Sequence, residues 1–134
     1  MTLVDTNVIL DVLADDPRWS EWSVRQLAER SALGRVSIND TIYAELSARM
    51  DDEAQLERAL AALDLSFDRV PRSALFLAGR CYRRYRSSGG VRTGVLPDFF
   101  IGAHAHVAGC PLLTRDVRRY RTYFPDVALI APEV

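Results

Sequence analysis

The chain has 134 residues, 49% apolar and 26% charged, with a formal net charge of −1. This is the balance of an ordinary globular protein with one domain and a real core, and it excludes a disordered chain. No apolar run reaches the length of a membrane span, and Cys81 and Cys110, in no CxxC or Cys/His cluster, exclude a disulfide framework.

The two cysteines are expected to be free thiols in a reducing cytoplasm. The opening MTLVDTNVIL has no basic segment before its apolar stretch, so no secretory signal is expected. The charge is uneven. Residues 1–70 hold 7 Arg and 14 acids, whereas residues 71–134 hold 10 Arg and 4 acids, so the second half can attract a polyanion. All 17 cations are Arg. Arg suits bidentate phosphate contact, although codon bias in a GC-rich genome accounts for most of the preference.

Short apolar runs alternate with longer helical periods, the rhythm of an α/β protein with a mostly parallel sheet. Residues 2–5 (TLVD) read as a short buried strand. Asn7 opens a helix with Val8, Ile9, Val12 and Leu13 on its apolar side. Ser20 caps a second helix running to about Leu33, before Gly34. RVSI (35–38) is the next strand, and Asn39 or Asp40 caps a helix holding Ile42, Glu45 and Leu46. Asp52, with Gln55 three positions on, starts another helix that ends near Leu63. LSFDRV (65–70) reads as a third strand, and Ser73 caps a helix through about Tyr85. SSGGVRTG (87–94) is the clear loop. Asp98 occupies an N-cap position after Pro97, before the helix FFIGAHAHVAG. LLT (112–114) and ALI (128–130) are the last strands.

In parallel α/β sheets, sites form beyond the carboxyl ends of the strands. Asp5 ends the first strand and Asp116 follows LLT. Asp98 begins a helix whose Gly102, Ala103 and Ala105 let it pack close to the sheet, and Glu45 lies in the helix after the second strand. Each acid alone has an ordinary explanation as a cap, a turn residue or a solvated helix position. If the topology holds, all four converge at one edge. Clustered carboxylates repel and lose hydration, which a divalent cation relieves. Mg²⁺ takes oxygen ligands and keeps several waters, so two Asp ligands suit it, with outer carboxylates orienting water for attack on a phosphodiester.

Taken in order, LVDTNVILDVL, SINDTIYAEL, LPDFFIGAHAHVAGCPLLTRD and ALIAP resemble the PIN-domain family, and specifically the toxins of bacterial VapBC toxin–antitoxin modules. The resemblance spans nearly the whole chain, 1–134, as one domain. It implies a PIN fold and Mg²⁺-dependent RNA cleavage, with Mn²⁺ as a substitute. By position it makes Asp5, Glu45, Asp98 and Asp116 the acidic residues. Asp5 and Asp98 would be the metal ligands, with Glu45 and Asp116 acting through water. Thr6 and Asn7 match the small polar positions after the first Asp, and Thr114 the Thr that fixes the last acid. It also implies a homodimer held inactive by a VapB-type antitoxin whose C-terminal segment covers the site. Two departures stand out. Gly102 replaces a common Ala and should soften its helix, and Tyr120 stands where the family often has Phe. Neither is expected to touch the chemistry.

RCYRRYR (80–86) and RDVRRYRTYF (115–124) interleave Arg with aromatics, a combination that can hold phosphate and stack on unpaired bases. In the first run the Tyr residues are expected to pack inward. In the second, Arg115, Arg118, Arg119 and Arg121 are candidates for RNA contact, with a merely solvated face or antitoxin contact as alternatives. His104 and His106, two apart on a helix, point to different faces and share no metal. Trp19 and Trp22 fit a core or dimer interface. Other functions rank lower. A PIN fold without catalysis would be a binding module. An Asp-dependent phosphatase-like hydrolase would need a second Asp in the DTN start, and a phospho-acceptor domain would need a Lys.

Overall fold

The computed structural model describes residues 1–91 and 94–133. Twelve elements follow in chain order among them: β1 (Thr2–Val4), α1 (Thr6–Leu13), α2 (Ser20–Leu33), β2 (Val36–Ile38), α3 (Asp40–Ser47), α4 (Glu53–Ala62), β3 (Ser66–Phe67), α5 (Arg72–Ser87), α6 (Leu96–Ala108), β4 (Leu112–Leu113), α7 (Arg118–Tyr123) and β5 (Leu129–Ile130). The strands form one parallel sheet in the order β3-β2-β1-β4-β5. This is the α/β architecture read from the alternation of short apolar runs and helices. The chain winds outward from β1 to β3, then returns to pair β4 on the other side of β1. The order therefore reverses between β1 and β4, the place where such sheets open a crevice at their carboxyl ends.

The strands are apolar because helices cover both faces. Leu3, Val4, Ile38, Leu112 and Leu113 are fully buried. Helix α6 is the central helix and is buried over most of its length, through Phe99, Ile101, Gly102, Ala103, His104 and Ala105. Against it lies α5, whose buried side chains are the small Ala74, Ala78 and Cys81, spaced along one face so the two helices approach closely. Phe99 joins this layer to the C-terminal segment through Tyr82, Tyr85, Tyr123 and Phe124, at centroid distances of 5.1–6.3 Å. The inward packing expected of Tyr82 and Tyr85 is thus observed. No helix among the described residues is long and apolar enough to cross a membrane.

Several local expectations are corrected. Helix α1 starts at Thr6, not Asn7, with Asp5 as its N-cap. Ser20 and Ser73 lie inside α2 and α5, whose cap positions are Trp19 and Pro71. Before α2, the Asp16 carboxylate accepts from the N–H groups of Arg18 and Trp19, so an upstream acid takes the role assigned to Ser20. Asp98 is not an N-cap but lies in the first turn of α6, after Val95 and Leu96. The third strand is shorter than 65–70 because the Val70 N–H turns to the Asp40 carboxylate (2.6 Å) instead of a neighbouring strand. Asn39, rather than Asp40, caps α3 by accepting from Ile42 N–H at 3.0 Å. Helix α7 lies in a stretch given no element from sequence. Part of the 87–94 loop, residues 92–93, lies outside the described residues.

Gly102 has a packing reason. A Cβ there would fall 2.4 Å from the buried Phe124 ring, whereas one at Gly79 of α5 would meet nothing within 4 Å. The two Gly→Ala changes should therefore differ in sign. Gly79→Ala is expected to stabilise by about 0.5–1 kcal/mol through helix propensity. Gly102→Ala should destabilise by about 1–2 kcal/mol, because overpacking outweighs the same propensity gain. Urea unfolding of both variants measures this, and a stabilised Gly102→Ala would refute the close-packing explanation.

Candidate active site at the carboxyl edge of the sheet

Asp5 is the centre of the site. It leaves β1 at the sheet's carboxyl edge and is only 5% exposed. Its Oδ1 accepts from the Thr6 N–H at 2.8 Å. Its Oδ2 accepts from Thr114 Oγ1 at 2.8 Å and from the Tyr120 hydroxyl at 2.9 Å. Thr114 follows β4 directly, so the β1–β4 pairing delivers its hydroxyl to Asp5. Burial raises the Asp5 pKa to about 6. The Thr114 and Tyr120 hydrogen bonds oppose that rise, and the charge of Asp98 adds to it.

Glu45 reaches the same edge from α3. Its Oε1 accepts from Thr6 Oγ1 at 2.7 Å. Burial pushes its pKa up, and the Asp98 charge pushes it further against the Thr6 hydrogen bond. Asp98 comes from α6, and its Oδ2 accepts from the Arg119 guanidinium at 2.6 Å. Asp98, from α6, therefore lies in the electrostatic field of both Asp5 and Glu45, and Thr6 links Asp5 at the end of β1 to Glu45 of α3. Asp116 is placed differently. Its side chain is exposed at the rim. Its N–H donates to Thr114 Oγ1 at 3.1 Å, and its carboxylate is not among the charges that shift Asp5 or Glu45. The predicted convergence thus gathers three acids, with the fourth tethered beside them through Thr114.

The supporting residues divide similarly. Thr6 bridges Asp5 and Glu45, one through its N–H and the other through its hydroxyl. Asn7 accepts from the Arg115 N–H at 3.1 Å, fixing the start of the segment after β4. Arg115 is a structural brace. Its guanidinium donates to both oxygens of buried Asp11, at 2.5 and 2.9 Å, and lies 5.1 Å from the Trp19 ring centroid. Ser23 Oγ donates to the same Asp11 carboxylate. Arg118 and Arg121 are exposed and make no ion pair among the described residues. With Tyr85, Asp116, Arg119, Thr122 and Tyr123, Arg118 lines a cleft of about 350 Å³ beside the acids.

Two functional positions escape a reading of the sequence. Tyr120 does touch the chemistry, contrary to expectation, because its buried hydroxyl donates to Asp5; burial and then the Asp5 charge hold its pKa well above normal, so it remains a donor. The only signal was Tyr in place of Phe. Asp11 gave no signal, since its partner Arg115 is remote in the chain. His104 is buried with Nδ1 3.1 Å from Asn39 Nδ2, and His106 is exposed, so neither serves the site. Cys81 and Cys110 are buried free thiols whose pKa values burial raises.

All donors at the site are oxygens, with no His or Cys, which fits a hard divalent cation. Among the described residues no three His, Cys, Asp or Glu side chains stand close enough together to form a ready ligand group. The carboxylates share a field without closing on a common point, and Arg119 occupies Asp98.

The raised Asp5 pKa has a measurable consequence. The folded carboxyl keeps its proton to about pH 6, whereas an unfolded one loses it near 3.8. Stability is therefore greatest below that window and falls as pH rises through it, by about 3 kcal/mol at most. Asp5→Asn should lack this loss. In chelator, urea unfolding should show the variant gaining on the wild type between pH 4 and 7, and parallel pH profiles would contradict the burial of Asp5.

The PIN domain family model matches residues 2–125. Among curated proteins, none matches the chain in sequence. Solved structures with a similar fold include VapBC-1 from nontypeable Haemophilus influenzae, with 19% identity, a TM-score of 0.72, and 97% of this chain and 96% of that one covered. FitAcB from Neisseria gonorrhoeae has 23% identity, a TM-score of 0.69 and coverage of 97% and 96%. DNA-bound VapBC from Salmonella typhimurium has 20% identity, a TM-score of 0.69 and coverage of 97% and 96%. With a family match over nearly its full length, on a parallel sheet carrying an acidic carboxyl edge, the chain belongs to the PIN domain family.

Proposed function

We propose that the protein is a metal-dependent endoribonuclease, the VapC-type toxin of a type II toxin–antitoxin pair, working with Mg²⁺ or Mn²⁺. Asp5, Glu45 and Asp98, meeting at one sheet edge from three separate elements, carry this reading. Asp5 and Asp98 would hold the ion directly, with Glu45 and Asp116 acting through water. When bound, the ion supplies charge neutralisation and an activated water for attack on the RNA phosphodiester. The protein's own contribution is positioning. Thr6, Thr114 and Tyr120 direct donors at Asp5, Thr6 also orients Glu45, and Thr114 ties the Asp116 backbone to the same point. Because burial raises the Asp5 pKa to about 6, Asp5 would have to give up a proton to hold the ion, so metal binding is expected to weaken in acid.

Arg118 lines the cleft beside the acids and Arg121 is exposed on the same short helix, which gives an RNA backbone a cationic approach. Solved structures that share the fold include toxin–antitoxin systems, which supports a VapB-type antitoxin as the partner; a homodimer of the toxin rests on the family resemblance alone.

Asp98→Asn should lower RNA cleavage by at least about 100-fold and weaken Mn²⁺ binding while circular dichroism remains unchanged. EDTA should abolish wild-type cleavage. Full activity in either case would reject the assignment. Replacing Arg118 and Arg121 together by Ala should weaken RNA binding and reduce its dependence on log salt concentration by up to about two phosphate contacts. An unchanged salt slope would mean these arginines are simply solvated.

A further inference from the structure

Of the four arginines in residues 115–121, Arg119 alone carries its charge to a carboxylate of the site. Arg115 is spent on Asp11, and Arg118 and Arg121 face solvent. The Arg119 guanidinium donates to Asp98 Oδ2 at 2.6 Å, lies 5.6 Å from the Tyr85 ring centroid, and belongs to a side chain only 16% exposed. A divalent ion ligated through Asp98 would share one carboxylate with this guanidinium. Two cations at one carboxylate in a partly buried setting repel strongly, so full engagement of Asp98 by one weakens the other.

We propose that Arg119 is a positioning residue that competes with the divalent ion for Asp98 and, when displaced, turns into the adjoining cleft to hold an RNA phosphate. The inference rests on the metal-dependent reading above. Arg119 already lines that cleft together with Arg118, so a phosphate placed between them gains two guanidinium partners. Metal and RNA then bind cooperatively, since each favours the arrangement in which Arg119 has left Asp98, and the coupling is reciprocal. The Asp98–Arg119 pair lowers the affinity for either ligand alone and favours their joint occupancy.

Calorimetric titration of Mn²⁺ into the full chain tests this without measuring cleavage. Arg119→Gln should bind Mn²⁺ about 10-fold more tightly than the wild type. Arg119→Lys, which keeps a charge beside Asp98, should stay near the wild-type value. Arg121→Gln, which removes the same charge from the solvent face, should change little. A merely structural role for Arg119 predicts weaker metal binding on its loss. Equal or weaker binding by Arg119→Gln, or equal tightening by Arg121→Gln, overturns the inference and leaves the metal site standing. Absence of Mn²⁺ binding by every protein overturns the metal-dependent reading as well. The wild type gives a test that needs no variant: a 2′-O-methyl oligoribonucleotide that the protein binds should tighten its Mn²⁺ affinity several-fold, and an unchanged affinity overturns the inference.

Discussion

The buried carboxylate of Asp5 is the constraint on which the rest of the molecule turns. A charge at 5% exposure is strongly disfavoured unless donors surround it. Those donors are Thr6 and Asn7 at the start of α1, Thr114 after β4, and Tyr120 of α7. The reversal of strand order between β1 and β4 brings Thr114 into reach, and the packing of Tyr123 and Phe124 at the end of α7 against Phe99 brings Tyr120. Even so, the donors do not offset burial completely, and the group remains a reluctant anion. Unfavourable electrostatics left at one point of an otherwise satisfied fold is a common physical signature of a functional site.

The arginine-rich segment after β4 is a division of labour along seven residues. Arg115 closes a bidentate bridge to Asp11 and so joins that segment to α1 and, through Ser23, to α2. Arg119 points into the acidic edge, and Arg118 and Arg121 point outward. Similar side chains thus do structural, site-directed and solvent-facing work within two helical turns. Which carboxylate lies within reach, rather than the identity of the side chain, separates the roles.

Much of this was legible in the sequence. Asp5 is legible as an acid that ends an apolar strand-like run, Asp98 as one that opens a small-residue helix and Glu45 as one in the helix after the second strand, and the sheet follows from the alternation of strand and helix periods. Asp116 reads as converging with the other three because adjacency to β4 is visible while the direction of its side chain is not. The caps at Ser20 and Ser73 failed because cap preference is local, and a nearby Asp16 and Pro71 overrode it. Gly102 looked like a weakness in a helix and is instead a clearance for Phe124. Tyr120 and Asp11 were hidden for a shared reason: their partners lie more than a hundred residues away, and nothing in a single chain marks such a pairing.

The strands themselves are very short. β4 meets β1 through only the pairs Leu3–Leu112 and Val4–Leu113, and apolar residues of similar size give a sheet little means to reject a shift of one position. A slipped alignment would carry the Thr114 hydroxyl away from Asp5 and draw Arg115 off Asp11, stranding two buried acids at once. The polar edge therefore proofreads the threading of the chain: the same groups that make it chemically useful make misaligned folding costly.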